Sequence, residues 1–235
     1  MAPPQDDDDI AGNAPTLQAL PPVIVRMLRK HYYAGVKEAE VRFRFHSADE
    51  DAVTGALGDR LIEPETLVTV GRQIYHWSAV YHKIRGRGPH APEKSVGADG
   101  IFQLEVLDQQ ERFVLRKGLL FQSKIGWKGK NGKLLRQARD LFAHSNTSIL
   151  VDYSANGHKA IGVREVIAAG GNRRILAPED DKPLAQVLGD EFVNCSRGDR
   201  GLYWEPERER LIINGESIAD LQPDNYFGTR IQRVE

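Results

Sequence analysis

One cysteine, Cys195, in 235 residues leaves no internal disulfide and no multi-cysteine zinc site. Long apolar runs are missing too: none approaches the ~20 residues of a membrane helix, which excludes a spanning helix. Residues 1–13 are acidic and lack the basic start and apolar centre of a secretory leader, so a cytoplasmic protein is expected. A Gly-x4-Gly-Lys-Ser/Thr phosphate loop and a nucleophile elbow are also absent, which ranks small-molecule α/β enzymes low. Positive charge is not in excess either. The 32 Lys and Arg against 33 Asp and Glu give −1, unlike a protein that coats nucleic acid. What is present, 40% hydrophobic and 28% charged residues, belongs to a globular chain long enough for a sizeable core.

The chain divides by composition into three expected parts. Residues 1–22, rich in Pro, Ala and Asp with the run Asp6 to Asp9, read as a disordered tail. A core follows over 23–175, and 176–235 reads as an extension packed on it that carries partner or oligomer contacts. Within the core a short helix is predicted from Val23 to Tyr33, after Pro21 and Pro22. Residues 40–46 alternate Val41, Phe43, Phe45 with Arg42, Arg44, His46, which favours a strand. Ser47 to Glu50 reads as a capping box opening a helix that runs through Leu57, with Gly58 as a stop. Strands are expected at 67–70, 74–84, 101–107, 112–122, 148–153 and 159–166. A single-faced helix is expected at 134–144, a helical piece near 184–192, and short strands near 202–204 and 211–213. This order predicts an α/β fold with a mixed sheet.

Three pieces carry chemistry. Gly97-Ala-Asp99-Gly100 opens one strand, Phe121-Gln122-Ser123-Lys124 ends a later one, and a helix with Arg136, Gln137 and Arg139 comes next. Strand alternation puts Gln122 and Lys124 on one face and Ser123 on the other. If the two strands pair, Asp99 meets Gln122 and Lys124 at one end of the sheet. An acid, an amide oxygen and a lysine on rigid strands suit Mg²⁺-dependent phosphodiester hydrolysis, with Mn²⁺ able to substitute. Oxygens hold the hard cation, and the lysine orients water or stabilises growing negative charge.

These residues resemble the PD-(D/E)XK nuclease superfamily, the restriction-endonuclease-like fold, and within it the Mrr-like branch in which Gln-x-Lys replaces acid-x-Lys. The resemblance runs from about Ser47 to Val166. It implies a mixed β-sheet flanked by helices and a metal-dependent DNA endonuclease. Asp99 and Gln122 would be metal ligands, Glu50 would complete the metal site from an early helix, and Lys124 would be the catalytic lysine. Gln137 is a weaker candidate, since the helix after the lysine often supplies a glutamine. The setting it implies is an effector of prokaryotic antiphage or restriction defence, restrained by a regulatory protein partner or by homo-oligomerisation. Gln122 is neutral, so the site should hold metal more loosely than the common pattern. Glu105 shares strand parity with Asp99 and is the distant candidate for the missing charge, roughly 20 Å along a strand at about 3.3 Å per residue.

Charge adds an independent line. From Arg116 to Arg139 there are eight cations (Arg116, Lys117, Lys124, Lys128, Lys130, Lys133, Arg136, Arg139) and no acid, so the rest of the chain carries −9. Lys128, Lys130, Lys133 and Arg136, on and beside a flexible loop with an exposed Trp127, are expected to bind a phosphate backbone, the indole stacking on a base. Arg85 and Arg87 add a second basic cluster ahead of Asp99. Plainer readings stand beside these: Glu50 as a helix cap, Asp99 as a turn residue, Lys124 as an edge-strand charge, Gln137 as a solvated side chain. A catalytically weak or inactive module that binds nucleic acid or a partner protein, and an RNA-directed nuclease, are the alternatives.

Overall fold

In the computed structural model the described residues are 20–84, 98–218 and 223–234. The expected tail, apart from Leu20, Pro21 and Pro22, lies outside them, as do Arg85, Arg87 and Gly97.

Helix α1 (Pro22–His46) opens with prolines, whose fixed φ suits the first helical turn. It then runs well past the expected end. Its buried residues Leu28, Tyr32, Val36, Ala39 and Phe43 fall every three or four positions, so the core-facing stripe carries the helix through 40–46. The strand predicted there does not exist. Phe43 belongs to the stripe, while Val41 and Phe45 are left 78% and 69% exposed on the outer side. Helix α2 (Glu50–Arg60) follows, capped by Asp49, whose carboxylate accepts the Asp51 N–H at 3.0 Å. The capping box on Ser47 is therefore corrected: the cap is two residues later, and Glu50 is freed from it. Gly58 does not stop the helix, because a Cβ there would stand 2.3 Å from the Tyr81 ring; it is a close-packing point.

The main sheet is mixed and nine-stranded, with helices on its faces, as expected. Its order is β1 (Glu63–Val70), β2 (Gln73–Lys83), β12 (Asn225–Arg233), β3 (Gly100–Leu107), β4 (Phe113–Ile125), β5 (Ile149–Tyr153), β6 (Lys159–Gly162) and β7 (Lys182–Pro183). The short β8 (Asp199–Arg200) pairs with β4. Strands β12 and β3 run parallel, as do β4 and β5; the other pairs are antiparallel. The last described strand thus lies inside the sheet, between β2 and β3, rather than on the surface of a finished core.

One face is covered by α1, α2 and a helical segment, α5 (Leu184–Gln186) continued by a π-turn over Val187–Phe192. The other is covered by α3 (Gly132–His144), α4 (Val163–Ala168) and a small sheet of β9 (Leu202–Glu205), β10 (Arg210–Ile213) and β11 (Glu216–Ile218). The strand expected over 159–166 stops at Gly162, where the chain turns directly into α4.

Candidate active site

Strands β3 and β4 pair with Gly100 opposite Phe121, and the ladder continues one step as Asp99 N–H donates to Phe121 O at 2.9 Å. A Cβ at Gly100 would lie 2.5 Å from the Phe121 ring and 2.8 Å from Asn225 O. This glycine therefore serves close strand approach, not a turn, and it sets Asp99 beside the end of β4. Asn225 fixes the position from the other side, its Nδ2 donating to Asp99 O at 2.7 Å.

The Asp99 carboxylate oxygen Oδ2 accepts from Ser123 N–H at 2.8 Å, from Ser123 Oγ at 2.7 Å, and from Gln122 Nε2. Ser123 is the residue that sequence reasoning passed over. Alternation put it on the face away from Gln122 and Lys124, and that face is the one α2 covers. Its hydroxyl lies between two acids, 2.7 Å from Asp99 and 3.3 Å from Glu50 Oε1. The other oxygen of Glu50 accepts from Lys124 Nζ at 3.0 Å. Asp99, Gln122, Ser123, Glu50 and Lys124 thus form one connected cluster at the sheet end, with Lys124 joined through Glu50.

Aromatic support lies beneath. Thr54 Oγ1 donates to Glu50 O at 2.9 Å and meets Tyr153 OH at 3.2 Å. Tyr153 is fully buried, which pushes its hydroxyl pKa up. Its ring meets the edge of His158 at 4.8 Å, and Phe43 closes the other side at 5.8 Å. Both His158 ring nitrogens lack a hydrogen-bond partner among the described residues, and burial lowers this imidazole to about 4.

The donor set consists of oxygens: two carboxylates and an amide. Gln122 Oε1 is buried without a partner among the described residues, an uncommon state for a carbonyl oxygen and one that a hard cation would relieve. Asp99, Glu50 and Gln122 are the residues here that could hold a divalent metal of the Mg²⁺ or Mn²⁺ kind. No group of three or more His, Cys, Asp or Glu side chains that could hold a metal ion occurs among the described residues.

Other candidates are placed elsewhere. Glu105 is turned into a separate cluster, bound by Arg116 at 2.9 Å, Arg230 at 3.4 Å and Gln103 at 3.0 Å. It borders a cleft of about 610 Å³ lined also by Tyr226, Trp204 and Arg208. It cannot supply the missing charge at Asp99, because the strand carries it inward along the sheet. Gln137 is half-buried on α3 and makes no side-chain hydrogen bond among the described residues.

Trp127 is 4% exposed, contrary to expectation. Its indole packs with Leu134 and Ala138 under the Arg173 guanidinium, 5.6 Å away. The basic loop is braced at both ends, not free. Gly126 N–H donates to Tyr153 O, Trp127 N–H to Asp152 Oδ1, Asn131 N–H to Gly171 O and Arg173 N–H to Gly129 O, all at 2.8–2.9 Å. An apolar ring between glycines that adopt positive φ was the available signal: such a loop folds back on its own core.

The eight cations separate. Lys117 is 0% exposed, donates to Phe192 O and lies 4.4 Å from that ring; burial lowers it to about 8. Arg116 and Lys124 are held by Glu105 and Glu50. Lys128, Lys130, Lys133, Arg136 and Arg139 are exposed and form no ion pair among the described residues.

No protein-family model, curated protein or solved structure matches this chain.

Proposed function

We propose that the protein is a metal-dependent endonuclease of the restriction-endonuclease-like class, hydrolysing phosphodiester bonds in DNA. The observation that carries the reading is the cluster in which Ser123 bridges Asp99 and Glu50, with Lys124 on Glu50 and a Gln122 oxygen that has no partner among the described residues. A divalent ion bound there would supply Lewis acidity at the scissile phosphate and a more acidic water. The chain's own residues do the rest. Asp99 is fixed by three donors on one oxygen. Glu50 holds Lys124 close to the carboxylates without burying it, so its ammonium remains available to a phosphate oxygen or an attacking water. The five unpaired cations on the braced loop and α3 favour a polyanion and contact its backbone, which carries no sequence information.

Prokaryotic defence, the setting implied by the resemblance, belongs to the same reading. The test is incubation of supercoiled and linear DNA with Mg²⁺ or Mn²⁺, beside folded Asp99→Ala and Lys124→Ala proteins. Cleavage by the wild type and its loss in both variants is the expected outcome; no cleavage under any metal would overturn the reading. The neutral Gln122 favours one second reading, a module that binds nucleic acid without cutting. Salt-dependent binding that survives both substitutions, with no cleavage, would select it.

A further inference from the structure

Strand β1 is the outer strand of the main sheet, and among the described residues only β2 pairs with it. Val70 and Gln73 close the hairpin around Gly71 and Arg72. On β2 the even-numbered backbone groups face β12, as Ile74 O accepts Val234 N–H at 2.8 Å and Ile84 N–H donates to Asp224 O at 3.0 Å. Antiparallel ladders alternate, so Thr66, Val68 and Val70 bond β2, while the N–H and C=O of Leu67 and Thr69 face outward.

Sheet edges are normally blunted by charge, proline or a bulge. The first half of β1 has all three: Glu63, Pro64, Glu65 and a register shift between Glu63 and Thr66. The second half, Thr-Leu-Val-Thr-Val over 66–70, has none, and its Leu67 is 63% exposed.

We infer that this half-edge is a self-association surface and that its occupant is β1 of a second copy of the chain, paired antiparallel about Val68. The inference does not depend on the nuclease reading. Charge complementarity selects the second copy. With Val68 opposite Val68, Leu67 of each chain faces Thr69 of the other, and both are the residues whose backbone groups point outward. The same register brings the hairpin tip that carries Arg72 of each chain toward Pro64 of the other, flanked by its Glu63 and Glu65. Arg72 is exposed and has no ion-pair partner among the described residues, while Glu65 is engaged only by His76 at 2.7 Å. Two such contacts form by symmetry, the isologous arrangement of a closed dimer. The main sheets of the two copies then run on as one.

Sedimentation velocity across a concentration series tests this on the full chain. The wild type should sediment as a dimer that dissociates on dilution. Thr69→Pro removes an outward N–H while leaving those bonded to β2, and Leu67→Lys places a charge at the interface. Each should weaken the dimer by roughly tenfold or more with unchanged circular dichroism. Arg72→Glu should weaken it as well, and adding Glu65→Lys in the same chain should restore it. A wild type that stays monomeric to about 100 µM overturns the proposal. So does a dimer indifferent to Leu67→Lys, which decides the matter if Thr69→Pro fails to fold.

Discussion

Strands β3 and β4 each contribute to two clusters built from the same chemistry: an acid, a glutamine and a basic side chain. In the inner one, Gln103 accepts Trp204 N–H at 2.7 Å and donates to Glu105 at 3.0 Å, and Glu105 meets two guanidiniums. Both ends of its amide are used. In the outer one, Gln122 gives its nitrogen to Asp99 and leaves Oε1 buried without a partner among the described residues, and Lys124 stays partly exposed. The difference teaches that the same residue types can make a fully satisfied network in one place and an incompletely satisfied one in another. A completed polar network rigidifies a core; a buried carbonyl oxygen without a partner among the described residues is the atom on which the proposed metal site rests.

Alanine at the key acid or cation should separate the two clusters most strongly. Asp99→Ala or Lys124→Ala should lower DNA cleavage per folded molecule by about 10²-fold or more; the urea midpoint barely moves for the partly exposed Lys124, whereas Asp99→Ala also lowers it by orphaning the Ser123 and Gln122 donors. Glu105→Ala should do the reverse. It strands Arg116 in a half-buried site, costing about 2–3 kcal/mol in urea unfolding, with cleavage per folded molecule unchanged. If Glu105→Ala abolished cleavage in a protein shown to be folded, the division between the clusters would be wrong.

Acid divides them next. The aromatic support under Glu50 contains His158, neutral and buried, whereas Glu105 is held by permanently charged guanidiniums. His158 titrates near 4 when folded and near 6.5 when unfolded. Below 6.5 the unfolded chain therefore takes a proton that the folded one refuses until about 4. Its contribution is fully present above pH 6.5 and is lost as pH falls, by about 3 kcal/mol in all. His158→Phe should flatten that part of the stability profile; an unchanged slope would remove His158 as its cause.

The two amides offer a smaller contrast. Gln103→Leu should cost about 2 kcal/mol, since it orphans Trp204 N–H and a partner of Glu105. Gln122→Glu supplies the acid missing from the outer cluster and should tighten Mg²⁺ or Mn²⁺ roughly tenfold in the metal dependence of cleavage. Unaltered metal dependence would count against Gln122 as a ligand.

How much of this could be read in the sequence follows from the range of each signal. The meeting of Asp99 with Gln122 was legible only on the condition that the two strands pair, because strand parity says which side chains share an end but not which strands are neighbours. Ser123 was assigned its correct face but given no role, since nothing local says that α2 brings Glu50 there. Strand β12 was invisible: Tyr226, Phe227, Gly228 and Thr229 are all buried, so no alternation marks a strand covered on both sides. Residues 40–46 misled for the opposite reason. A chance alternation in seven residues gave way to a helical stripe already running from Leu28.

The smallest expected effects concern the eight cations, which the sequence presented as one strip and the fold divides. Arg116 and Lys117 point onto an acid or into the sheet, Lys124 sits on Glu50 at the cluster itself, and the five on the braced loop and α3 remain for the rest of a polyanion. Salt dependence of DNA binding counts the phosphates neutralised, so Lys128→Ala and Lys130→Ala should each reduce the slope of log K against log salt by about 1. Lys117→Met should leave the slope unchanged, since its ammonium is wholly buried against Phe192. Trp127→Leu should likewise spare the slope and lower stability instead, because the ring is core and not a stacking platform. A slope indifferent to the two loop lysines would move the polyanion off this ledge and leave the outer cluster without its basic approach.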